Sequence, residues 1–231
     1  MLIAVALLAA LAAGACGGGT PAAADRIVTR VPFAAGERLS YGLYDSAGAL
    51  VGRGVLTVTA QPGGLALGQQ YARPDEQPND TSAAVVDATT LAPRTVERIV
   101  ASDGHAYRAT YAADGSDVEL VRDDDKPRTL SLPPDAYDNE SSLWLWRTAE
   151  LGEDYRARYV SVNAVERTRQ LVSLTVTGRE RVEVPAGTFE TWRLQVRNGR
   201  ATRVAWIHVD APHELVQWDN GTLLFKLEAT R

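Results

Sequence analysis

The sequence predicts a mainly β protein, a single antiparallel open β-barrel or curved-sheet domain with one short helix. Three observations lead there. From Val31 onward apolar residues recur at alternate positions in short runs rich in Val, Thr, Leu and Tyr, the period of a strand with one buried face. Gly, Asn, Asp and Pro separate these runs at turn spacing. The chain has 231 residues, of which 45% are hydrophobic and 23% charged, enough for one barrel or sandwich with a sizeable core and too apolar for wholesale disorder.

The N-terminus has a different character. Residues 2–13 form an unbroken apolar run of Ala, Leu, Ile and Val. A bilayer span takes ~20 residues, whereas the apolar region of a signal peptide takes about 7–15. Ala13-Gly14-Ala15-Cys16 follows and resembles a lipobox, the signal after which a cysteine is diacylated and becomes the mature N-terminus. Ala13 stands where a lipobox usually has Leu, and no Lys or Arg precedes the apolar run. An ordinary cleaved signal followed by an incidental Cys16 is the alternative. The expected organisation is therefore a lipoprotein signal peptide over 1–15, lipidated Cys16 with a Gly-, Ala- and Pro-bearing flexible tether over 16–30, and the antiparallel β domain over 31–231. Acyl chains on Cys16 would hold the protein at a membrane, each buried CH₂ contributing ~0.8 kcal/mol. Cys16 is the only cysteine, so neither an intrachain disulfide nor a cysteine-based zinc site can form.

Along the mature chain, Leu39, Tyr41 and Leu43 alternate onto one face, and Asp45-Ser46-Ala47-Gly48 turns the chain into a β-branched run over 50–59. Gln61-Pro62-Gly63-Gly64 ends that hairpin. Residues 71–81 are polar, contain Pro74 and Pro78, and read as a long loop. Strands are expected over 82–87, 94–101 and 105–112, with turns at Ser102-Asp103-Gly104 and Ala113-Asp114-Gly115, then a short strand over 118–121. Asp123-Asp124-Asp125 reads as a solvated hairpin tip, because calcium loops intersperse their carboxylates and need a Gly.

The helix is expected over 138–147. Pro133-Pro134 precedes it, Asp138 can cap it, and Gly152 follows it. On a helix Trp144 and Trp146 point in different directions, so one can plug a core while the other sits elsewhere. Strands follow over 155–163, 170–177, 178–184, 189–196, 201–209, 214–218 and 222–228. Pro185-Ala186-Gly187-Thr188 and Asp219-Asn220-Gly221 read as turns, and Asn198-Gly199 as a type I′ hairpin. No fixed-period repeat is visible.

The run Val184-Pro185-Ala186-Gly187-Thr188-Phe189 resembles the late turn of the bacterial family known as domain of unknown function 3108. Gly36-Glu37-Arg38-Leu39-Ser40-Tyr41, Trp206 and Asp219-Asn220-Gly221 resemble that family's early strand, tryptophan strand and closing hairpin. The resemblance spans Phe33 to the C-terminus. It implies an exported antiparallel open barrel, related in shape to lipoprotein carriers of the bacterial envelope, and it supplies no activity and no catalytic residues.

Chemistry-bearing clusters are few. His208-Val209-Asp210-Ala211-Pro212-His213-Glu214 gathers two His and two carboxylates, the raw material of a metal-dependent hydrolase. Zinc sites need three or four protein ligands, and the plainer reading is a solvated strand end. No Gly-x-Ser-x-Gly elbow, phosphate-binding loop or dinucleotide fingerprint is present, and the carboxylates of Glu37 and Asp45 cannot be placed in one cleft. The expectation is a protein that is not an enzyme and carries no metal or cofactor. A net charge of −5 argues against nucleic acid, which wants a clustered basic face. All five tryptophans, Trp144, Trp146, Trp192, Trp206 and Trp218, fall in the second half. They build a core or line a cavity for a lipid or other apolar ligand. The expected role is that of a cell-envelope lipoprotein, at the outer face of the cytoplasmic membrane or the periplasmic side of the outer membrane. Its partner is an apolar small molecule or, alternatively, an envelope protein.

Overall fold

The structure is a computed structural model and describes residues 27–73 and 79–231. Cys16 and the signal peptide lie outside the described residues. The first half forms a meander of eight strands: β1 (Arg38–Tyr44), β2 (Leu50–Gln61), β3 (Gly64–Ala72), β4 (Asp80–Val86), β5 (Pro93–Val100), β6 (His105–Tyr111), β7 (Asp117–Arg122) and β8 (Arg128–Ser131). Then come β9 (Ala136–Asp138), a 3₁₀ turn (Asn139–Ser141), one α turn, α1 (Ser142–Leu145), and a second 3₁₀ turn (Trp146–Thr148). A second meander completes the chain: β10 (Arg156–Asn163), β11 (Thr168–Val184), β12 (Gly187–Asn198), β13 (Ala201–His208), β14 (Leu215–Asp219) and β15 (Leu224–Thr230).

All described strands belong to one sheet, ordered β8-β7-β6-β5-β4-β3-β2-β1-β15-β14-β13-β12-β11-β10-β9. The terminal strands β1 and β15 pair antiparallel at its centre. The two edge strands, β8 and β9, are joined by residues 132–135 alone, which brings the sheet edges round toward each other. The result is an open barrel with a seam, as the alternation pattern predicts. Both edges are short, four and three residues, which limits the unpaired backbone offered to other chains. Among the described strands only the β9–β10 pair is parallel.

The inward faces follow the period-two pattern. Leu39, Tyr41 and Leu43 of β1, Leu56 and Val58 of β2, and Leu65 and Leu67 of β3 are all buried. Opposite them lie Leu174 and Val176 of β11, Leu194 and Val196 of β12, and Ala205 and Ile207 of β13. The helical segment fills the space between these walls. Every residue from Tyr137 to Ala149 except Asn139 is buried, the signature of a plug rather than a surface helix. Asp138 caps it as the sequence predicts, its Oδ1 accepting the Glu140 N–H at 2.8 Å.

Arg147 locks the plug in place. Its side chain is 0% exposed, and Nη1 and Nη2 donate to the two carboxylate oxygens of Glu37 at 2.7 and 2.8 Å. Nε donates to the His213 carbonyl at 2.9 Å and Nη2 to the Pro212 carbonyl at 3.1 Å. The guanidinium carbon lies 4.9 Å from the centre of the Phe33 ring. Residues 27–30, read from the sequence as the end of the tether, run along the same end of the plug. There the Thr29 N–H and hydroxyl both donate to the Thr148 carbonyl, at 3.1 and 2.7 Å.

Several details differ from the sequence reading, which has no strand at β8 or β9 and one helix over 138–147 where a single α turn stands between two 3₁₀ turns. β3 has no counterpart in it, because Gly64, Gly68 and three small or amide residues hide the alternation of Leu65, Leu67 and Gln69. The loop expected over 71–81 is shorter, since Tyr71 and Ala72 belong to β3 and Asp80 and Thr81 to β4. The strands expected over 170–177 and 178–184 are one strand, β11, whose register shifts between Val176 and Arg179. Gly178, at φ 144°, sits in that bulge, so the glycine bends a strand instead of ending it. The last hairpin expectation is off by one residue. Asn198 pairs with Ala201, leaving Gly199-Arg200 as the loop. Gly199 has φ 57° and Arg200 is not in the positive-φ region, which fits type II′ and not type I′.

Two predictions follow from the plug. Replacing Arg147 by Ala leaves the part-buried Glu37 without its cation; breaking a fully buried pair costs about 3–5 kcal/mol, and about 2–4 kcal/mol is expected here. Arg147→Lys should lose less but still destabilise, because an ammonium cannot reproduce the planar fork. Urea unfolding checks both, and a loss under ~1 kcal/mol for Arg147→Ala would contradict the lock. The second concerns Asp138, where burial first and the Glu140 charge next push the carboxyl up to about 7. An unfolded aspartate titrates near ~3.9, so the folded state holds this proton more tightly. The stability it confers is complete below that unfolded value and is lost as pH rises through the folded one. Between about pH 4 and 7.5 the native protein should lose roughly 2–4 kcal/mol relative to Asp138→Asn. Unfolding curves at matched pH values would show a constant difference if Asp138 were not the cause.

Candidate functional site

The Arg147 lock sits at one end of the barrel. From Glu37 to Leu43 the chain advances about 20 Å at strand rise, and at the far end the plug does not fill the shell. A cavity of about 770 Å³ opens there, walled by the C-terminal end of β1, the start of β2, the end of β3, β10 to β15 and the outer side of the plug. Leu43, Leu143, Trp146, Trp218 and Phe225 form its apolar part. Trp146 and Trp218 lie with ring centres 4.8 Å apart at 53°. Trp146 Nε1 donates to the Tyr159 hydroxyl at 3.1 Å, and Phe225 meets Tyr71 edge to face at 5.6 Å.

A polar network forms the opposite part. Arg98 of β5 donates through Nε and Nη2 to Asp80 of β4 at 3.2 and 2.8 Å, and through Nη1 to Glu140 of the plug at 3.0 Å. The Gln69 amide nitrogen donates to the Glu140 carbonyl at 2.5 Å, and the Tyr71 hydroxyl donates to Gln69 Oε1 at 2.6 Å. Burial first, then the negative charges of Glu140 and Asp80, raise the Tyr71 phenol well above its ordinary value, so it remains a donor. The site is thus held by strands on one side and by the capped first turn of the plug on the other. It offers hydrogen-bonding groups and apolar surface, and its residues are positioned by one another.

The tryptophans divide. Trp146 and Trp218 line the cavity. Trp144 is fully buried in the core, Trp192 lies under the Arg179 guanidinium at 4.2 Å, and Trp206 donates from Nε1 to Glu180 at 2.8 Å away from the cavity. The different directions of Trp144 and Trp146 are those expected of a helix. The polar lining was not anticipated: Gln69, Asp80 and Arg98 lie on strands whose register the sequence does not show. Glu140 was visible only as an acidic residue near a cap.

The His208 cluster is a strand-end structure. His208 Nδ1 is 3.0 Å from Glu214 and its Nε2 is 3.9 Å from Asp210. His213 turns its Nδ1 to the His208 carbonyl at 3.1 Å, while its own carbonyl and that of Pro212 serve Arg147. Among the described residues, no three His, Cys, Asp or Glu side chains converge as a metal-holding group. Asp123 pairs with His105 at 2.6 Å and Asp125 with Arg122 at 3.0 Å at an exposed hairpin tip. Glu37 and Asp45 stand apart. The first pairs with Arg147, and the second accepts the Ala47 and Ala49 N–H groups within its turn, both at 2.9 Å.

Comparison with curated proteins gives no match. Among solved structures, the chain is similar in fold to a beta-barrel-like protein of domain of unknown function DUF1849 from Brucella abortus. The TM-score is 0.51 at 11% identity, covering 84% of this chain and 96% of the other. A candidate exported protein with YmcC-like fold from Bacteroides fragilis matches with TM-score 0.35 and 11% identity, over 87% of this chain and 98% of the other. A candidate lipoprotein from Parabacteroides distasonis matches with TM-score 0.39 and 14% identity, over 90% of this chain and 100% of the other. The last two scores are too low to bear on the fold. The family model for proteins of unknown function DUF3108 matches residues 40–228, from within β1 to within β15, and the chain therefore belongs to the DUF3108 family.

Proposed function

We propose that this protein is an exported cell-envelope lipoprotein, anchored through acyl chains on Cys16, whose β shell is non-catalytic and holds a lipid or another partly apolar ligand. The cavity of about 770 Å³ carries the reading. Sites for small molecules run roughly 300–1,000 Å³ and combine aromatic walls with placed polar groups. Trp146, Trp218 and Phe225 supply the first, and the network of Arg98, Asp80 and Glu140 with the asparagines and glutamines of the lining supplies the second. The plug supports a holding role, since Arg147 fixes its far end while its near side faces the cavity. The anchor rests on the apolar run over 2–13 followed by Ala13-Gly14-Ala15-Cys16.

Two measurements test this. The protein purified from membranes should have an intact mass equal to residues 16–231 plus a diacylglyceryl group or more, and Cys16→Ser should move it from the membrane fraction to the soluble one. Membrane association that survives Cys16→Ser rules out the anchor. Native mass spectrometry and solvent extraction should recover a small amphiphile bound to the shell at near-stoichiometric amount. A clean ligand-free mass across preparations argues instead for a scaffold that binds an envelope protein.

A further inference from the structure

We infer that the polar part of the cavity receives a neutral, hydroxyl-rich group, a saccharide, rather than a phosphate or a bare hydrocarbon chain. This deepens the ligand-holding reading and rests on it. The charged side chains of the lining are Arg73, Arg98 and Arg203 against Asp80, Glu140 and Glu166, so its formal charge sums to zero. Arg98, the cation facing the plug, spends its donors on Asp80 and Glu140. Two carboxylates around one guanidinium leave that triad with a net negative charge, so a group seated against it is favoured as a hydroxyl donor over an anion.

The uncharged lining points the same way. Seven asparagines and glutamines line the cavity, and Gln69, Asn139, Asn163, Gln170 and Asn220 among them already hold hydrogen bonds within the protein. A carboxamide presents both donors and acceptors, and a sugar hydroxyl does the same, so each can satisfy the other. A hydrocarbon chain laid across them would strand the donors and acceptors that these bonds leave over. One acceptor already lacks a partner: Asn198 Oδ1, at the end of β12 in the cavity wall, is buried without a hydrogen bond. The neighbouring rings of Trp146, Trp218 and Phe225 suit the apolar C–H faces of a pyranose, or an alkyl group attached to it.

The test uses the full anchored chain in peptidiscs, with empty peptidiscs as background, and three soluble probes: hexyl β-maltoside, hexyl phosphate and free maltose. Calorimetry and tryptophan emission should show hexyl β-maltoside binding at least tenfold more tightly than hexyl phosphate. Asn198→Ala, at a hairpin end, should weaken the maltoside about tenfold, and Glu140→Gln should narrow the preference over phosphate. If Glu140→Gln does not fold, Asn198→Ala alone decides. Equal binding of free maltose keeps the saccharide and assigns its source to a free sugar rather than a glycolipid. Tighter binding of hexyl phosphate overturns the saccharide and leaves the ligand-holding shell standing. So does a preparation that carries an endogenous amphiphile yet ignores the maltoside. If no probe binds and extraction is also empty, the holding function itself falls.

Discussion

The ion pair between Arg147 and Glu37 is the constraint on which this architecture turns. A barrel with a seam has no continuous hydrogen-bonded ring to set its girth, so its interior filling must do so. Here the filling is a segment of about three turns, far too short to be stable alone. It is held because one buried guanidinium meets Glu37 just before the first strand, the turn between β13 and β14, and the Phe33 ring at once. Those partners come from opposite ends of the sequence, and β1 and β15 already pair at the sheet centre. The plug therefore ties the two meanders where β1 and β15 meet, leaving the seam between β8 and β9 free of that duty.

Fixing the plug at one end creates the cavity at the other. A longer helix would have filled the barrel, and a looser one would have let the walls close. Tyr41 and Tyr159 show how the two ends are kept distinct. The Tyr41 hydroxyl donates to the Leu215 carbonyl at 2.7 Å within the closed half. The Tyr159 hydroxyl accepts from Trp146 Nε1 at the cavity wall. Each buried aromatic spends its one polar atom inside its own half, so neither competes for a ligand.

Much of the sheet was legible because burial on one face imposes a period of two, and turns need residues that tolerate their backbone angles. β1, β12 and the Asp219-Asn220-Gly221 turn were read directly from those rules. β3 was not, since its glycines leave little alternation to see: a β-carbon on Gly68 would come within 2.6 Å of the Thr57 hydroxyl. The site was less legible than the sheet. Trp146 and Trp218 stood out by residue type alone, but so did Trp144, Trp192 and Trp206, which serve packing. Arg98, Asp80 and Glu140 meet only through strand register and the turn of the plug, neither of which a single sequence displays. Arg147 and Glu37 lie 110 residues apart and carry no local pattern linking them.

The step from β9 into the plug binds fold and site most closely. Asp138 and Glu140 are two residues apart, and the helical turn sends them in different directions. Asp138 faces inward, where the Tyr111 hydroxyl donates to its Oδ2 at 2.5 Å. Glu140 faces the cavity and Arg98. A carboxyl as buried as Asp138 is tolerated because it can hold a proton, and its Oδ1 still accepts the Glu140 N–H. That N–H begins the very residue whose side chain and carbonyl organise Arg98 and Gln69. The cap that starts the plug and the polar wall of the cavity are thus one hydrogen-bonded unit. Any change that shifts the plug along its axis must move the polar wall with it, so the geometry offered to a ligand is set by how the core packs.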